Sequence, residues 1–158
     1  MLNIYSVAFF GHRCIYRLND LEKTLETHIC NLVKTKEYVE FMVGRSGDFD
    51  HFATAAVRRV QRNYRDENSD LVLILPYPTA EYLKNQKSFE DYYNDIEISN
   101  NASVAHPKAA YQIRNREMVD RADLIICYVE QEYGGAYQAV KYALSQGKTI
   151  INLAPEKL

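Results

Sequence analysis

Five short apolar runs alternate along this chain with segments that carry a helical pattern of apolar residues. Each run is nearly continuous, so both faces of the predicted sheet should be covered. Strands that alternate with helices are typical of a parallel α/β sheet. The predicted strands cover residues 6–10, 38–43, 71–75, 123–129 and 149–153. We therefore predict an α/β, Rossmann-like fold with a mostly parallel five-stranded sheet and helices on both faces.

Helix boundaries are marked by residues with known capping preferences. Asn19 or Asp20 is the candidate cap of the first helix, and Asp50 is the candidate cap of the second. Pro107 suits the first turn of a helix that runs to about residue 121, and Gly147 suits the position just after the last helix. These signals divide the chain into regular strand–helix units.

The stretch 77–106 breaks this pattern, because it is polar and rich in tyrosine. It is too long for an ordinary connection, so we expect a functional loop, an excursion of short helices or a lid. The length of 158 residues fits one domain, which we place at 1–158 with an insert at about 77–106.

Composition limits the classes of partner and compartment. The formal net charge is -2 and the pI is about 6.1, so we do not expect a nucleic-acid partner, because neutralising phosphates requires a basic surface. No apolar run approaches the roughly 20 residues of a membrane helix, and the first residues lack a signal peptide. We expect a cytoplasmic protein. The three separated cysteines predict neither a zinc site nor a disulfide framework, and we expect no metal or cofactor other than a bound nucleotide.

Glycine-containing turns follow three of the predicted strands. They begin at Gly11, at Gly44 and at Gly134, and each leads into a predicted helix. Such turns expose backbone N–H groups at the carboxyl edge of a sheet, where phosphates commonly bind. Because all three lie at one edge, we predict one shared pocket for a phosphorylated ligand.

Side chains in and beside these turns supply the candidate binding residues. Arginines would contact phosphate, carboxylates would accept hydrogen bonds from ribose hydroxyls, and tyrosines would stack on a base. The predicted ligand-binding residues are Gly11, His12, Arg13, Gly44, Arg45, Ser46, Gly47, Asp48, Asp50, Arg114, Arg116, Tyr133, Gly134, Gly135 and Tyr137.

Each of these residue types also has a purely structural interpretation. The glycines allow a helix to pack on the sheet. His12 can be a core or turn histidine whose hydrogen bonds are made within the protein, and the arginines can be ordinary surface residues. A run of four arginines at 58, 59, 62 and 65 occupies one side of a helix whose other side is apolar, which favours a solvated face over a DNA contact. No residue is predicted to be catalytic.

Four segments in order resemble the SLOG family, a nucleotide-binding group that includes DprA/Smf and LOG-type proteins, and they resemble its small single-domain branch most closely. They are residues 11–13, 44–50 followed by Ala53, 114–120, and 134–135 followed by Tyr142, Ala143, Gly147 and Lys148. The resemblance implies a Rossmann-like pocket for nucleotides or nucleotide-derived signals and frequent assembly into a homodimer or higher homo-oligomer.

LOG-type members of that family hydrolyse the N-glycosidic bond of nucleoside monophosphates. Their catalytic glutamate follows a Gly-Gly turn, and aligning Gly134 and Gly135 on that turn places Lys141 where the glutamate would stand. A lysine opposes the positive charge that develops on the ribose, so the resemblance favours a protein that is not an enzyme. Glu130 and Glu132, which precede the turn, are the candidates to replace that glutamate.

The leading hypothesis from the sequence is therefore binding of a nucleotide-derived small molecule for sensing or sequestration. NAD or ADP-ribose, a cyclic nucleotide and a nucleoside phosphate all remain open as the ligand. The alternatives are a LOG-like hydrolase or transferase of the N-glycosidic bond, and a protein-interaction or DNA-processing module that keeps the fold without a ligand.

Overall fold

The computed structural model describes residues 1–16 and 20–155. In these two ranges the six strands are β1 (Ile4–Gly11), β2 (Tyr38–Val43), β3 (Ser69–Leu75), β4 (Asp95–Ile98), β5 (Leu124–Tyr128) and β6 (Thr149–Asn152). The seven helices within the described residues are α1 (Leu21–Thr35), α2 (Asp48–Asn63), α3 (Ala80–Lys84), α4 (Gln86–Tyr92), α5 (Asn100–Ser103), α6 (Pro107–Arg121) and α7 (Gly135–Ser145).

All six strands pair in parallel, in the order β4-β3-β2-β1-β5-β6. The predicted Rossmann-like α/β fold is confirmed, but the sheet has six strands and not five. The chain builds one half of the sheet outward from β1 and then returns to add β5 on its other side. In open α/β sheets the crevice beside such a reversal is the usual place for a ligand.

Two apolar layers cover the sheet, one on each face. The first layer joins β1, β2 and β3 to α1 and α2, with Leu25, Phe49 and Val57 fully buried. The second joins the opposite face of the same strands to α6 and α7, through Met118 and Ala143. Burial on both faces explains why the central strands are continuous apolar runs.

The sixth strand lies inside the polar insert. The insert folds into α3, α4, β4 and α5, and β4 pairs with β3 from Val72 opposite Asp95 to Leu75 opposite Ile98. An excursion of short helices was one of the expected outcomes for this stretch. The strand β4 was not predicted because it has only four residues, lies at the sheet edge and alternates acidic and apolar residues.

One of the two predicted N-terminal helix caps differs from the structure. Asp20 is the N-cap of α1, as predicted, with a positive φ of 63° and no capping hydrogen bond from its side chain, while Asn19 lies outside the described residues. The second helix begins at Asp48, so Asp50 is inside its first turn and is not the cap. Pro107 in the first turn of α6 and Gly147 with a φ of 71° after α7 are as predicted.

The loop after β1 and the start of α2 are in direct backbone contact. A Cβ atom on Gly47 would overlap the backbone of Arg13 and would lie 2.9 Å from its carbonyl oxygen. The N–H of Asp48 donates to that same carbonyl at 2.8 Å, and the Asp48 carboxylate accepts from the Ile15 N–H at 3.0 Å. This contact fixes how two strand–helix loops sit beside each other at the carboxyl edge of the sheet.

In the part of the chain that the structure describes, no helix combines the length and the apolar character needed to cross a membrane.

We predict that Gly47→Ala destabilises the fold by about 1–3 kcal/mol, because the added methyl group meets rigid backbone and cannot be accommodated by a side-chain movement. Gly135→Ala is the matched control. No atom of residues 1–16 or 20–155 lies within 4 Å of a Cβ there, and residue 135 begins a helix, so the change should be neutral or stabilising. Urea unfolding of both variants measures the difference. Equal stability of the two variants would contradict the close approach.

Candidate functional site

A cavity of about 460 Å³ opens at the carboxyl ends of β1, β2 and β5. Its walls come from the end of β1, the loops after β1, β2 and β5, and one face of α6. The lining residues are Phe9, Phe10, Gly11, His12, Arg13, Cys14, Tyr16, Gly44, Ser46, Asp50, Tyr111, Arg114, Asn115, Met118, Gln131, Tyr133, Gly134, Gly135 and Ala136. Three loops that are far apart in sequence therefore meet around one space.

Most of the predicted binding residues lie in this cavity. Those that line it are Gly11, His12, Arg13, Gly44, Ser46, Asp50, Arg114, Tyr133, Gly134 and Gly135. Whether they bind a ligand stays a prediction.

Five predicted residues are not among those that line the cavity. Gly47 and Asp48 hold the two loops together, as described above. Arg45 turns toward the insert. Its Nε donates to Glu81 at 2.7 Å and its Nη1 donates to the Tyr93 hydroxyl at 2.9 Å.

The other two lie on helices and are not part of the lining. Arg116 stacks on the ring of Tyr142 on α7, with 5.1 Å between the guanidinium carbon and the ring centroid. Tyr137 belongs to the first turns of α7 and does not contribute to the lining. Of the two arginines predicted on α6, the structure thus places Arg114 in the cavity.

Arg114 is the most deeply buried charged residue of the cavity, with only 4% of its surface exposed. Its Nη1 donates to the Ile74 carbonyl at 2.7 Å, and its Nε donates to the Asn115 side chain at 2.9 Å. Among the described residues no acceptor takes a hydrogen bond from Nη2. The guanidinium therefore has hydrogen-bonding capacity to spare at the cavity wall.

Gly44 separates this guanidinium from the carboxylate of Asp50. A Cβ on Gly44 would lie 3.1 Å from Nη1 of Arg114 and 3.2 Å from Oδ2 of Asp50, so the absence of a side chain keeps the space between the two charges open. Oδ2 of Asp50 accepts a hydrogen bond from the Ser46 N–H at 2.8 Å. The Arg114 guanidinium and the Asp50 carboxylate thus lie on either side of Gly44.

Burial changes the acid–base behaviour of both groups. Desolvation raises the pKa of Asp50, and the Ser46 N–H and the positive charge of Arg114 oppose that rise. Desolvation likewise lowers the pKa of Arg114, against the favourable field of Asp50. Burial thus disfavours the charged form of each group, and the charge of each group favours the charged form of the other.

His12 ties the loop after β5 to the end of β1. Its Nε2 accepts hydrogen bonds from the backbone N–H groups of Glu130 at 2.8 Å and Gln131 at 3.2 Å. An acceptor nitrogen requires the neutral imidazole, and burial lowers the pKa of His12 in agreement, while the nearby Glu130 charge acts in the opposite direction. The side chain lines the cavity and also positions the loop that carries Tyr133 and Gly134.

The rim of the cavity carries two exposed aromatic residues. Tyr16 is 90% exposed and Tyr133 is 66% exposed, and both contribute to the lining. Next to Tyr133, a Cβ at Gly134 or Gly135 would have no neighbour within 4 Å among the described residues, so the backbone there is open to a ligand. Gly11 has the opposite environment, because a Cβ there would overlap the buried ring of Phe49.

The predicted site lacks the other residues of the α6 wall. Tyr111, Asn115 and Met118 line the cavity together with Arg114. Their spacing of three and four residues places them on one face of a helix, and that spacing was the available signal. Tyr16 and Cys14 carried no comparable pattern.

The two glutamates suggested as hydrolytic residues are absent from the lining. Glu130 accepts a hydrogen bond from the Tyr128 hydroxyl at 2.6 Å, and Glu132 lies exposed in the loop before α7. Lys141 is exposed on α7. Among the described residues, Asp50 is the one carboxylate that lines the cavity, and no group of three His, Cys, Asp or Glu residues could hold a metal ion.

Comparison with known proteins finds the same fold in solved structures that include those of two DNA processing proteins. DNA processing protein A (DprA) from Streptococcus pneumoniae matches with a TM-score of 0.69 and 19% identity, over 98% of this chain and 52% of that chain. DNA processing protein A from Helicobacter pylori, described for its single-stranded DNA binding mode, matches with a TM-score of 0.63 and 17% identity, over 98% of this chain and 66% of that chain. No family model and no curated protein matches the sequence.

These structures correct two expectations from the sequence. The interpretation as a sensor or store of NAD, ADP-ribose, a cyclic nucleotide or a nucleoside phosphate is wrong, because the fold is that of proteins that handle DNA. The exclusion of nucleic acid as a partner is wrong for the same reason. It relied on net charge, which does not describe local cations such as Arg13 and Arg114 at the cavity. The alternative of N-glycosidic hydrolysis gains no support from either structure.

We predict that the free energy of unfolding falls as the pH is lowered from about 6.5 through the lowered pKa of His12. In that range the unfolded chain binds a proton that the folded imidazole resists, and protonation removes the acceptor for Glu130 and Gln131. Urea unfolding between about pH 5 and 8 measures this slope. His12→Gln, which keeps an acceptor but does not titrate, should show a smaller slope, and an identical slope in both proteins would contradict the assignment.

Proposed function

We propose that this chain binds single-stranded DNA in the cavity at the carboxyl edge of its sheet. The observation that carries the proposal is the buried, incompletely paired guanidinium of Arg114 in the wall of that cavity. The shared fold with the Helicobacter pylori protein, whose structure concerns single-stranded DNA binding, supports the choice of ligand.

The charges of the cavity fit a phosphodiester. Arg114 offers a planar donor from the wall, and Arg13 adds a second, exposed cation. The open backbone at Gly134 and Gly135 lies at the beginning of α7, where N–H groups have no partner within the helix. Asp50 accepts hydrogen bonds and so fits a sugar or base group better than a phosphate oxygen.

The aromatic rim explains why the strand would be single. Tyr16 and Tyr133 present exposed rings beside the cavity. Unpaired bases offer their flat faces to such rings, and stacking contributes about 1–3 kcal/mol per base with little dependence on sequence. A duplex hides those faces and presents only base edges in its grooves.

We also infer that residues 1–158 act as one SLOG-like domain of the small branch. The ordered motifs around Gly11, Gly44, Arg114 and Gly134 support this placement, and so does the fold shared with the DNA processing proteins. The chain spans 52% of one of those proteins and 66% of the other, so their activities beyond this domain are not assigned to it.

We predict that Arg114→Gln weakens binding of a labelled oligothymidylate by about 1.5–3 kcal/mol, since a charge-assisted hydrogen bond to phosphate is lost. The dependence of log Kd on log salt should fall by about one unit of slope. Fluorescence anisotropy measures both. The matched control is Arg116→Gln, which removes the same charge two residues away on α6 but outside the cavity. Equal losses in the two variants would contradict a specific role for the cavity.

We predict further that Tyr133→Ala weakens binding of the single strand by about 1–3 kcal/mol, whereas Tyr137→Ala has little effect on binding. Tyr133 is exposed at the rim, so its removal should not disturb folding, and Tyr137 lies outside the lining. The same titration with duplex DNA should show weaker binding that is insensitive to Tyr133→Ala. Duplex binding as tight as that of the single strand would overturn the proposal.

A further inference from the structure

The arginine run of α2 divides into two chemically different pairs. Arg59 forms an ion pair with Glu26 of α1, and Arg65 forms one with Glu67. Within residues 1–16 and 20–155, neither Arg58 nor Arg62 forms an ion pair with a carboxylate. Two of the four charges are therefore neutralised within the protein and two are not.

The two unneutralised arginines act on one surface. Arg58 and Arg62 are one helical turn apart and line a second cavity, of about 420 Å³, together with Gln61, Asp66 and Asn94. Like charges at this spacing repel each other and destabilise a helix by about 0.2–0.5 kcal/mol. Of the lining residues that the structure describes, Asp66 is the one carboxylate, so these residues carry a net positive charge. These features fit an anionic partner.

An aromatic ring completes this surface. The guanidinium carbon of Arg58 lies 5.3 Å from the centroid of the Tyr92 ring at the end of α4. The Tyr92 ring also packs edge-on with that of Tyr93, at 5.1 Å between centroids, and Tyr92 is 37% exposed, so part of the residue stays accessible to a ligand. A cation beside an accessible ring is the combination used to hold the backbone and bases of a single strand without reading its sequence.

The position of α2 connects this surface to the first cavity. Asp50, in the first turn of α2, lines the first cavity, and Arg58 and Arg62 follow on the same helix. At 1.5 Å per residue, they lie about 12 Å and about 18 Å farther along the helix axis than Asp50. A strand that leaves the first cavity along α2 would reach them within a few nucleotides.

We propose that Arg58, Arg62 and Tyr92 form a second contact surface for the same DNA strand, which extends the site beyond the cavity. The two guanidinium groups bind phosphates and the ring of Tyr92 stacks on a base. This inference rests on the proposed binding of single-stranded DNA. The ligand is then a polynucleotide longer than the cavity can hold, so affinity depends on the length of the strand.

Oligothymidylates of about 4 and about 12 nucleotides test this length dependence. For the double variant Arg58→Gln/Arg62→Gln, we expect the affinity for the longer strand to fall about tenfold or more and the salt slope to fall by about two units. Affinity for the shorter strand should stay unchanged. Tyr92→Ala alone should lower the affinity for the longer strand about fivefold or more. This measurement does not depend on the folding of the double variant.

The double variant Arg59→Gln/Arg65→Gln is the matched control, because it changes the net charge equally but removes only arginines that already have partners. It should bind both strands nearly as the wild type does. Equal losses in the two double variants, or an undiminished affinity of Arg58→Gln/Arg62→Gln for the longer strand, would overturn this inference while leaving the cavity proposal standing.

Two further outcomes separate the possibilities. If the wild type binds neither strand, the proposed function itself fails and this inference fails with it. If polyglutamate of similar length competes as well as the longer oligothymidylate, the surface recognises acidic chains in general, and its assignment to DNA is overturned.

Discussion

The site depends on one close backbone contact, in which Gly47 lies against Arg13 and the Asp48 N–H bonds to the Arg13 carbonyl. The loop after β1 has no regular secondary structure of its own over residues 12–16, so its position relies on such partners. The Asp48 carboxylate adds a second bond, to the N–H of Ile15. Because α2 is anchored through Phe49 in the core, the loop is tied through this contact to the rigid sheet.

The same logic applies to the other walls of the cavity. His12 holds the loop after β5 through two backbone hydrogen bonds, and Arg114 is held by the Ile74 carbonyl at the end of β3. Each wall is therefore fastened by polar contacts that leave part of its own surface open. A buried cation such as Arg114 carries a desolvation cost that its protein partners offset only in part, and an anionic ligand would offset more of it.

The sequence predicted the architecture well because the strands that form it are continuous apolar runs. It predicted fewer of the details that depend on contacts between distant residues. The strand β4 was missed because its acidic and apolar residues alternate at an edge. The sequence also could not show that Glu81 and Tyr93, which lie in the insert, accept hydrogen bonds from Arg45, a predicted phosphate ligand beside a turn glycine.

Glycines illustrate the same limit. Gly11, Gly47 and Gly134 follow similar patterns in the sequence, yet a Cβ would overlap Phe49 at the first and the backbone of Arg13 at the second, and would meet open space at the third. Only the third position leaves backbone free for a ligand. Net charge misled in a related way, because the acidic total of the chain does not describe the cations gathered at one cavity.

The most direct test of the central claim is an NMR titration of the isotopically labelled wild-type protein with a single-stranded oligothymidylate. Binding in the cavity predicts saturable shifts of the backbone amides of Gly44, Ser46, Gly134 and Gly135, and of the Arg114 side chain. Saturation without shifts at these residues, or shifts confined to surfaces that touch neither the cavity nor α2, would contradict the account.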